Sequence, residues 1–579
     1  MIPACLCALL VAGTLSMVQT PVPPADAGPP TPARRVLDIE KRRVVAAAPR
    51  PTDTGPTCDV LIIGGGTGGV AAAEAAALRG VSVILVEPTR MLGGQFTAQL
   101  VPVPDENSHI EKHFGPSTEN YRALRAQVRA HYRNQSEVIP GRENCIGSCW
   151  VSRVSGTPDV WERAIEERLF PLVSAGRIRR IYRRHALLGV TPLANGRVNY
   201  ADIVDLDSGA VTRIGARFFL DATEDGQLLE VAGLPTVYGQ EPQGAYSEPH
   251  APPEPHPQRI QSFTYCFLTR WEAAPPADRV PPPAEYAYFR SFGDYTLDYV
   301  YSDARGTVPY KVLTKAPNAA GPFWTYRRLV ASSNFRGRPS SPAGDIALIN
   351  WRGNDFHEEA YLGRTPEEQV RVLERGRAFA QGFLHWLQTE CPRDDGKGVG
   401  YPEMQPVTGE TVPGVDADGM AIHPYVRESR RLKARFVLNE NHLVASPERP
   451  GAKWGAEFPD SVGCALYAVD IHPAKGEPPL LFPALPYHIP LGAFLTESGP
   501  VNVLPAAKNI GATRLAMASA RMHPTEWLIG EVAGALAAYC VRHDLADPAE
   551  VRENPERLAA FQTNVKGGGI TPHWREILP

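Results

Sequence analysis

Gly64, Gly66 and Gly69 stand at the spacing G-x-G-x-x-G directly after the apolar, β-branched run Val60 to Ile63. That combination suits a dinucleotide pyrophosphate, and each glycine answers a separate need. Gly64 allows the tight turn, Gly66 lets phosphate approach the backbone, and Gly69 lets the next helix pack closely on the strand. Thr67 and Gly68 lie inside the same turn. The following helix is mostly alanine from Ala71 to Ala77, and its free N–H groups and positive dipole end face the phosphates. Glu87 ends a second strand-like run, Val81 to Val86, about 20 residues beyond the glycines, where an acid holds a ribose hydroxyl. An acid there favours a plain ribose over a 2′-phosphate.

The turn alone serves NAD and FAD equally, and two further segments favour FAD. Gly93, Gly94 and Gln95 follow soon after Glu87, where the chain passes along the cofactor toward a flavin. Near the C-terminus, Met522 to Thr525 opens a long helix with small residues along one face (Gly530, Ala533, Gly534, Ala537) and Pro524 near its start. Its positive N-terminus belongs beside the flavin pyrimidine, which is negative when reduced. A flavin carries the electrons, so the protein must bind, orient and tune it. Arg427 and Arg430 flank Glu428; they are either a salt-bridged surface segment or a fork for a substrate carboxylate or reduced flavin. His472 alternates with Asp470 and is a candidate general base. His523, at the helix start, is biased toward neutral imidazole by the dipole, so it is either an acceptor near the flavin or a plain helix-start residue.

With these residues assembled, the chain resembles the FAD-dependent oxidoreductase family, related to the glutathione-reductase-like flavoproteins and closest to a bacterial xanthan-lyase-like group. The Gly64–Glu87 unit, Met91 to Gln95, Trp150 to Arg153, Phe219 to Gly226 and the block from Tyr425 to Ala538 carry the resemblance. It implies an FAD cofactor and an α/β fold: a split Rossmann-like FAD domain, a parallel sheet with helices, plus an inserted α+β substrate domain. It also implies cofactor contacts at Asp221, where a strand end returns to the FAD, and at Gly511 and Thr513. One departure stands out: Asn509 to Thr513 carries no acid where the family pattern usually has one. The implied activity is oxidation of a small organic substrate by hydride transfer to flavin, as an oxidase or a dehydrogenase with an external acceptor. No second glycine fingerprint marks an NAD(P)H domain. The alternatives are a monooxygenase or halogenase-like enzyme, and a carbohydrate-processing or carbohydrate-binding protein suggested by Trp271, Tyr295, Trp324 and Trp351.

These groups need a large scaffold, and the 579 residues supply it, with 43% apolar residues. The net charge of −4 argues against a nucleic-acid partner. No metal site is expected, since no second close Cys or His pair accompanies Cys145 and Cys149. That pair is either a disulfide or two loop thiols. The surplus of 57 prolines marks borders. We divide the chain into a signal peptide or N-terminal anchor (1–27), a Pro-rich linker (28–56), the first part of the FAD domain (57–240), a substrate or cap domain (241–479), the second part of the FAD domain (480–545) and a tail (546–579). The apolar N-terminus implies export to the periplasm or beyond, with no membrane span except that possible anchor.

Overall fold

The computed structural model describes residues 34–51, 55–107, 109–111, 116–445 and 450–576. The proposed signal segment lies outside the described residues. Two short strands, β1 (Arg35–Asp38) and β2 (Arg43–Ala46), pair antiparallel. The first long apolar run forms β3 (Thr57–Ile63), followed by α1 (Thr67–Leu78) and β4 (Val83–Glu87). Helices α2 (Glu119–Arg133) and α3 (Pro158–Ser174) come next, then β5 (Ile178–Arg183), β6 (His185–Pro192), β7 (Val198–Asp205) and β8 (Val211–Asp221).

The main sheet runs β5-β4-β3-β8-β7-β6. Strands β5, β4, β3 and β8 are parallel, with Val60 beside Val83 and Phe218. The long β8 forks on its far edge. Its first half pairs antiparallel with β7, and its end pairs in parallel with Val503–Pro505. A strand from late in the chain thus joins the first sheet. The helix His523–Arg542 then lies against α1. The approach is backbone to backbone: a Cβ on Gly530 would stand 2.0 Å from the Gly68 carbonyl oxygen, and one on Gly534 2.3 Å from that of Ala72.

The middle of the chain builds its own antiparallel sheet from Arg328–Val330, Ile346–Ile349, Phe267–Trp271 and Met404–Pro406. The helix Pro366–Thr389 belongs to this unit and opens with a capping box between Thr365 and Glu368. The core here is aromatic. Trp271, Tyr295, Trp324 and Trp351 are 6% exposed or less. Trp271, Tyr295 and Trp324 fill space inside the domain, and Trp351 reaches the wall of a small polar cavity.

Three borders shift. The proposed linker 28–56 contains the β1–β2 hairpin, whose Val36 packs with Val204 and Leu206. Residues Leu438, Val462 and Ile471 share the first core with α1 and the C-terminal helix, ahead of the expected border at 480. The expected tail 546–579 is packed as well: Phe561 and Val565 join that core, and Trp574 donates to the Tyr487 carbonyl at 2.9 Å. Among the described residues no helix is long and apolar enough to cross a membrane.

The Cys145 and Cys149 sulfurs lie 3.5 Å apart as thiols. Hydrogen bonding to Cys149, then to Ser155 and backbone amides, lowers the Cys145 thiol to about 6. Burial pushes Cys58, Cys266, Cys391 and Cys540 up to about 12. Iodoacetamide is therefore expected to label Cys145 first, at a rate that stays high down to about pH 6. Peptide mapping after a short pulse checks this, and equal labelling of the buried thiols would contradict it.

Candidate functional site

The cofactor cleft opens where β3, β4 and β8 end, at the carboxyl edge of the parallel strands. It encloses about 1160 Å³ of empty space, part of it open to solvent. Gly64 turns the chain with φ +100°, and a Cβ there would meet the Ala222 carbonyl oxygen at 2.1 Å. Gly66 lines the cleft and precedes the first turn of α1, whose N–H groups have no intrahelical partner. Glu87 ends β4, as expected. One carboxylate oxygen accepts from the Gly65 amide at 2.7 Å, and the other from Thr89 at 2.9 and 2.6 Å. Burial raises this carboxyl to about 7. Gly94 lines the cleft, while Gly93 holds φ +107° and bonds back to Gly65 at 2.8 Å.

Some expected cofactor residues build the cleft without lining it. The Thr67 hydroxyl donates to the Gly93 carbonyl at 3.1 Å. Cβ atoms on Gly68 and Gly69 would stand 2.0 Å from the Ala506 oxygen and 1.9 Å from the Gly64 oxygen, so both glycines serve packing. Asp221 spends both oxygens on the turn that follows it, accepting from Thr223 and from the Leu229 amide. Burial raises it to about 6. Gly511 packs on Ala434 and Phe436, and Thr513 caps the helix Arg514–Ala520 while donating to Glu248. Gly511, Thr513 and Asp221 are therefore corrected from contacts to supports.

Other residues enter the site without having been foreseen. The β1 segment, the His185–Leu187 stretch of β6, and Tyr361 to Gln369 all contribute to the cleft wall. Beside Gly66 sits Glu224, whose carboxylate pairs with the buried Lys508 ammonium. Lys508 also meets Glu526 at 3.4 Å, and Glu526 in turn accepts from the Gln95 amide. Burial works to lower the lysine, and the two carboxylates overcome it and hold it charged. Lys508 stands immediately before the acid-free stretch 509–513 and supplies charge of the opposite sign there.

The cleft fits an FAD. A bare Gly66 Cα faces it, the Glu87 carboxylate stands at the end of β4, and several buried polar atoms around it lack protein partners. These are Gln99 Nε2, Glu224 Oε1 and, next to Gly94, Gln95 Oε1. Buried amides and carboxylates need partners, and the hydroxyls and ring edge of the cofactor offer both donors and acceptors.

The four expected redox residues divide. Arg430 lines the cofactor cleft, anchored by the Asp225 carbonyl at 2.9 Å and Glu230 at 2.7 Å. Arg427 and His472 meet in a second, polar cavity, joined by Asp355. The Asp355 carboxylate lies 3.0 Å from Arg427 Nη2 and 2.5 Å from His472 Nδ1. Asp470 lies 3.3 Å from the other ring nitrogen. Burial works to raise Asp355, and Arg427 with His472 hold it at about 2. Asp470 is also held below the usual range, because His472, Arg352 and Arg521 outweigh its burial. Both ring nitrogens of His472 thus already have a carboxylate neighbour, so the imidazole is part of a buried network and does not stand free in the cavity as a lone general base would. His523 is also corrected. Its Nδ1 accepts from the Asp105 amide and its Nε2 donates to the Val101 carbonyl, both at 3.2 Å. Burial lowers it to about 3, so it is neutral as the helix dipole suggests, but it holds backbone and does not face the cleft.

Asp355 and Arg352 lie in the stretch of sequence least like any family block, so nothing local marked them. Arg521 is different: it directly precedes the helix already assigned to the flavin, and that position was a readable signal.

A family model described as FAD dependent oxidoreductase matches residues 59–565. No curated protein matches the chain. Among solved structures, a geranylgeranyl bacteriochlorophyll reductase-like protein from Thermoplasma acidophilum is 10% identical, over 90% of this chain and 86% of that one, with a TM-score of 0.32. Mycobacterium smegmatis Sdh1, in complex with UQ1, is 12% identical over 85% of this chain and 70% of that one, with a TM-score of 0.31. The myxobacterial chondrochloren halogenase CndH is 16% identical with a TM-score of 0.23, and the chain spans only 46% of its length and 38% of its own.

Proposed function

As a member of the FAD dependent oxidoreductase family, this chain takes FAD as its cofactor, and we propose that it oxidises an organic substrate by hydride transfer to the flavin and passes the electrons to an external acceptor. One observation carries the reading: a single short segment serves both cavities. His423 lines the dinucleotide cleft, while Tyr425 and Arg427 line the polar cavity. A second link supports it, since Gln95 beside the cleft donates at 3.1 Å to the carbonyl of Arg521, which borders the polar cavity. FAD, when bound, supplies the hydride-accepting chemistry.

The protein's own groups then have distinct tasks. The turn at Gly64 and Gly66 holds the pyrophosphate, and Glu87 takes the ribose. Gln95 and Gln99 present amides to the cofactor. Arg427 orients the substrate, its guanidinium fixed by Asp355, by Thr264 at 2.8 Å and by the Ser262 carbonyl at 3.0 Å. His472, bridging Asp355 and Asp470, fixes the position of both carboxylates and so of the Arg427 guanidinium.

Purified protein is expected to be yellow and to lose that colour anaerobically with one member of a screen of alcohols, amines, hydroxy acids and sugars. A quinone or ferricyanide then restores it. A protein that stays colourless after FAD loading sinks the reading. Direct bleaching by NADPH, with no response to the screen, would favour the monooxygenase-like alternative.

A further inference from the structure

Arg327, Arg352, Arg427 and Arg521 all line the small polar cavity that holds His472, a cleft partly open to solvent with an interior of about 30 Å³. Three of them, Arg327, Arg427 and Arg521, are 3%, 1% and 2% exposed. Each guanidinium is fastened through its terminal nitrogens. Arg327 grips Asp105 at 2.7 and 2.8 Å. Arg352 meets Asp470 at 3.0 Å, and Arg427 meets Asp355 at 3.0 Å. Arg521 donates to the Tyr425 hydroxyl at 3.0 Å and to the Asp470 carbonyl at 3.1 Å. The same atom is left over in all four: the Nε donor is buried and has no partner in the protein. Folded chains pair about nine-tenths or more of such groups, because an unmade buried bond costs roughly 1–3 kcal/mol, more for a charged donor.

The charges do not balance either. Against four guanidiniums the cavity sets Asp105, Asp355 and Asp470. All three carboxyls are held below the ordinary range in spite of burial, Asp105 by Arg327, Asp355 by Arg427 with His472, and Asp470 by His472 with Arg352 and Arg521, so they are already ionised and already counted. One positive charge remains over, before His472 is considered. Burial of net charge is costly unless a counter-ion enters. A single carboxylate matches the surplus of one, and its planar pair of oxygens suits guanidinium N–H groups.

We infer that this cavity binds a small organic anion through its carboxylate, and that the substrate of the flavin reaction belongs to that class. The second half of this statement rests on the proposed oxidation, and the first half does not.

The test is calorimetric titration of the FAD-loaded protein with malonate, and with malonamide as its neutral twin. Malonate is expected to bind and to raise the melting temperature, with malonamide silent. Arg521→Lys, which keeps the charge but loses the Nε donor, is expected to weaken malonate by about tenfold. If that variant fails to fold, the malonate and malonamide contrast in the unaltered protein decides. Equal binding of the two, or binding of neither, overturns the inference, and so does a clear preference for inorganic phosphate. Malonate bound by a yellow protein that no substrate reduces would keep the site and sink the oxidation. Bleaching by a neutral substrate, with no malonate binding, would do the reverse.

Discussion

Gly66→Val is expected to give a folded protein that holds no FAD. The backbone at Gly66 has φ −68°, which any residue adopts. The nearest atom to a new Cβ is the Glu224 carboxylate at 2.8 Å, the far end of a side chain that can swing, and the next is the Gly94 Cα at 3.8 Å. The fold tolerates the substitution, and the volume it takes is the volume of the cleft. Affinity for FAD should fall about a thousandfold or more, a loss of about 4 kcal/mol. The other glycines of the same fingerprint behave differently. Gly64 has φ +100° and faces the Ala222 oxygen at 2.1 Å, and Gly69 faces the Gly64 oxygen at 1.9 Å. Both neighbours are backbone and cannot move without unpacking the ends of β8 or β3, so Gly64→Val and Gly69→Val are expected to unfold the domain. Flavin absorbance and a circular-dichroism melt on the same samples separate the two outcomes. A yellow Gly66→Val protein would falsify the assignment of the turn.

Lys508→Met is expected to cost about 3–5 kcal/mol, since it leaves the buried Glu526 and the part-buried Glu224 without their cation. Glu224 and Glu526 both contact this ammonium, and Lys508 and Glu526 are fully buried. The cost depends on pH, with a definite sign. Burial raises Glu526 from the ordinary 4.5 to about 7 even with Lys508 present. Folding therefore takes up a proton at this site. The stability so gained is complete below about pH 4.5 and is lost as pH rises through about 7. Without the lysine the Glu526 carboxyl rises further, so the deficit of the variant widens above pH 7 and narrows below it. Adding Glu224→Gln to Lys508→Met should recover part of the loss, because the two sites touch and their effects are not additive. Urea unfolding on either side of pH 7 measures both effects. A deficit that does not change with pH would show that the triad is not coupled as described.

Legibility followed range along the chain. The strand, glycine turn and helix from Val60 to Ala77 were readable because each depends on residues a few positions away. Glu87 was readable for the same reason, at one βαβ spacing. The chain could not show which glycines face the cofactor and which face backbone: Gly68 and Gly69 meet Ala506 and Gly64 only after the C-terminal strand has returned to β8. The Pro-rich segment looked like a linker because composition reports backbone preference and not what a hairpin packs on. Trp271 and its neighbours looked like a stacking surface because aromatic content does not tell inside from outside.

The sequence by itself determined the cofactor class, the α/β sheet and the position of the phosphate turn, since local backbone geometry and apolar periodicity specify them. Only the tertiary structure decided which charged groups meet. His472 meets Asp355 across 117 residues, and Lys508 meets Glu224 across 284. Charges that far apart in the chain are brought together by the burial of whole surfaces, and in the low dielectric between them each must find its counter-ion. Those pairings clamp the His472 imidazole and leave the Nε donors of four cavity-lining arginines without a protein partner.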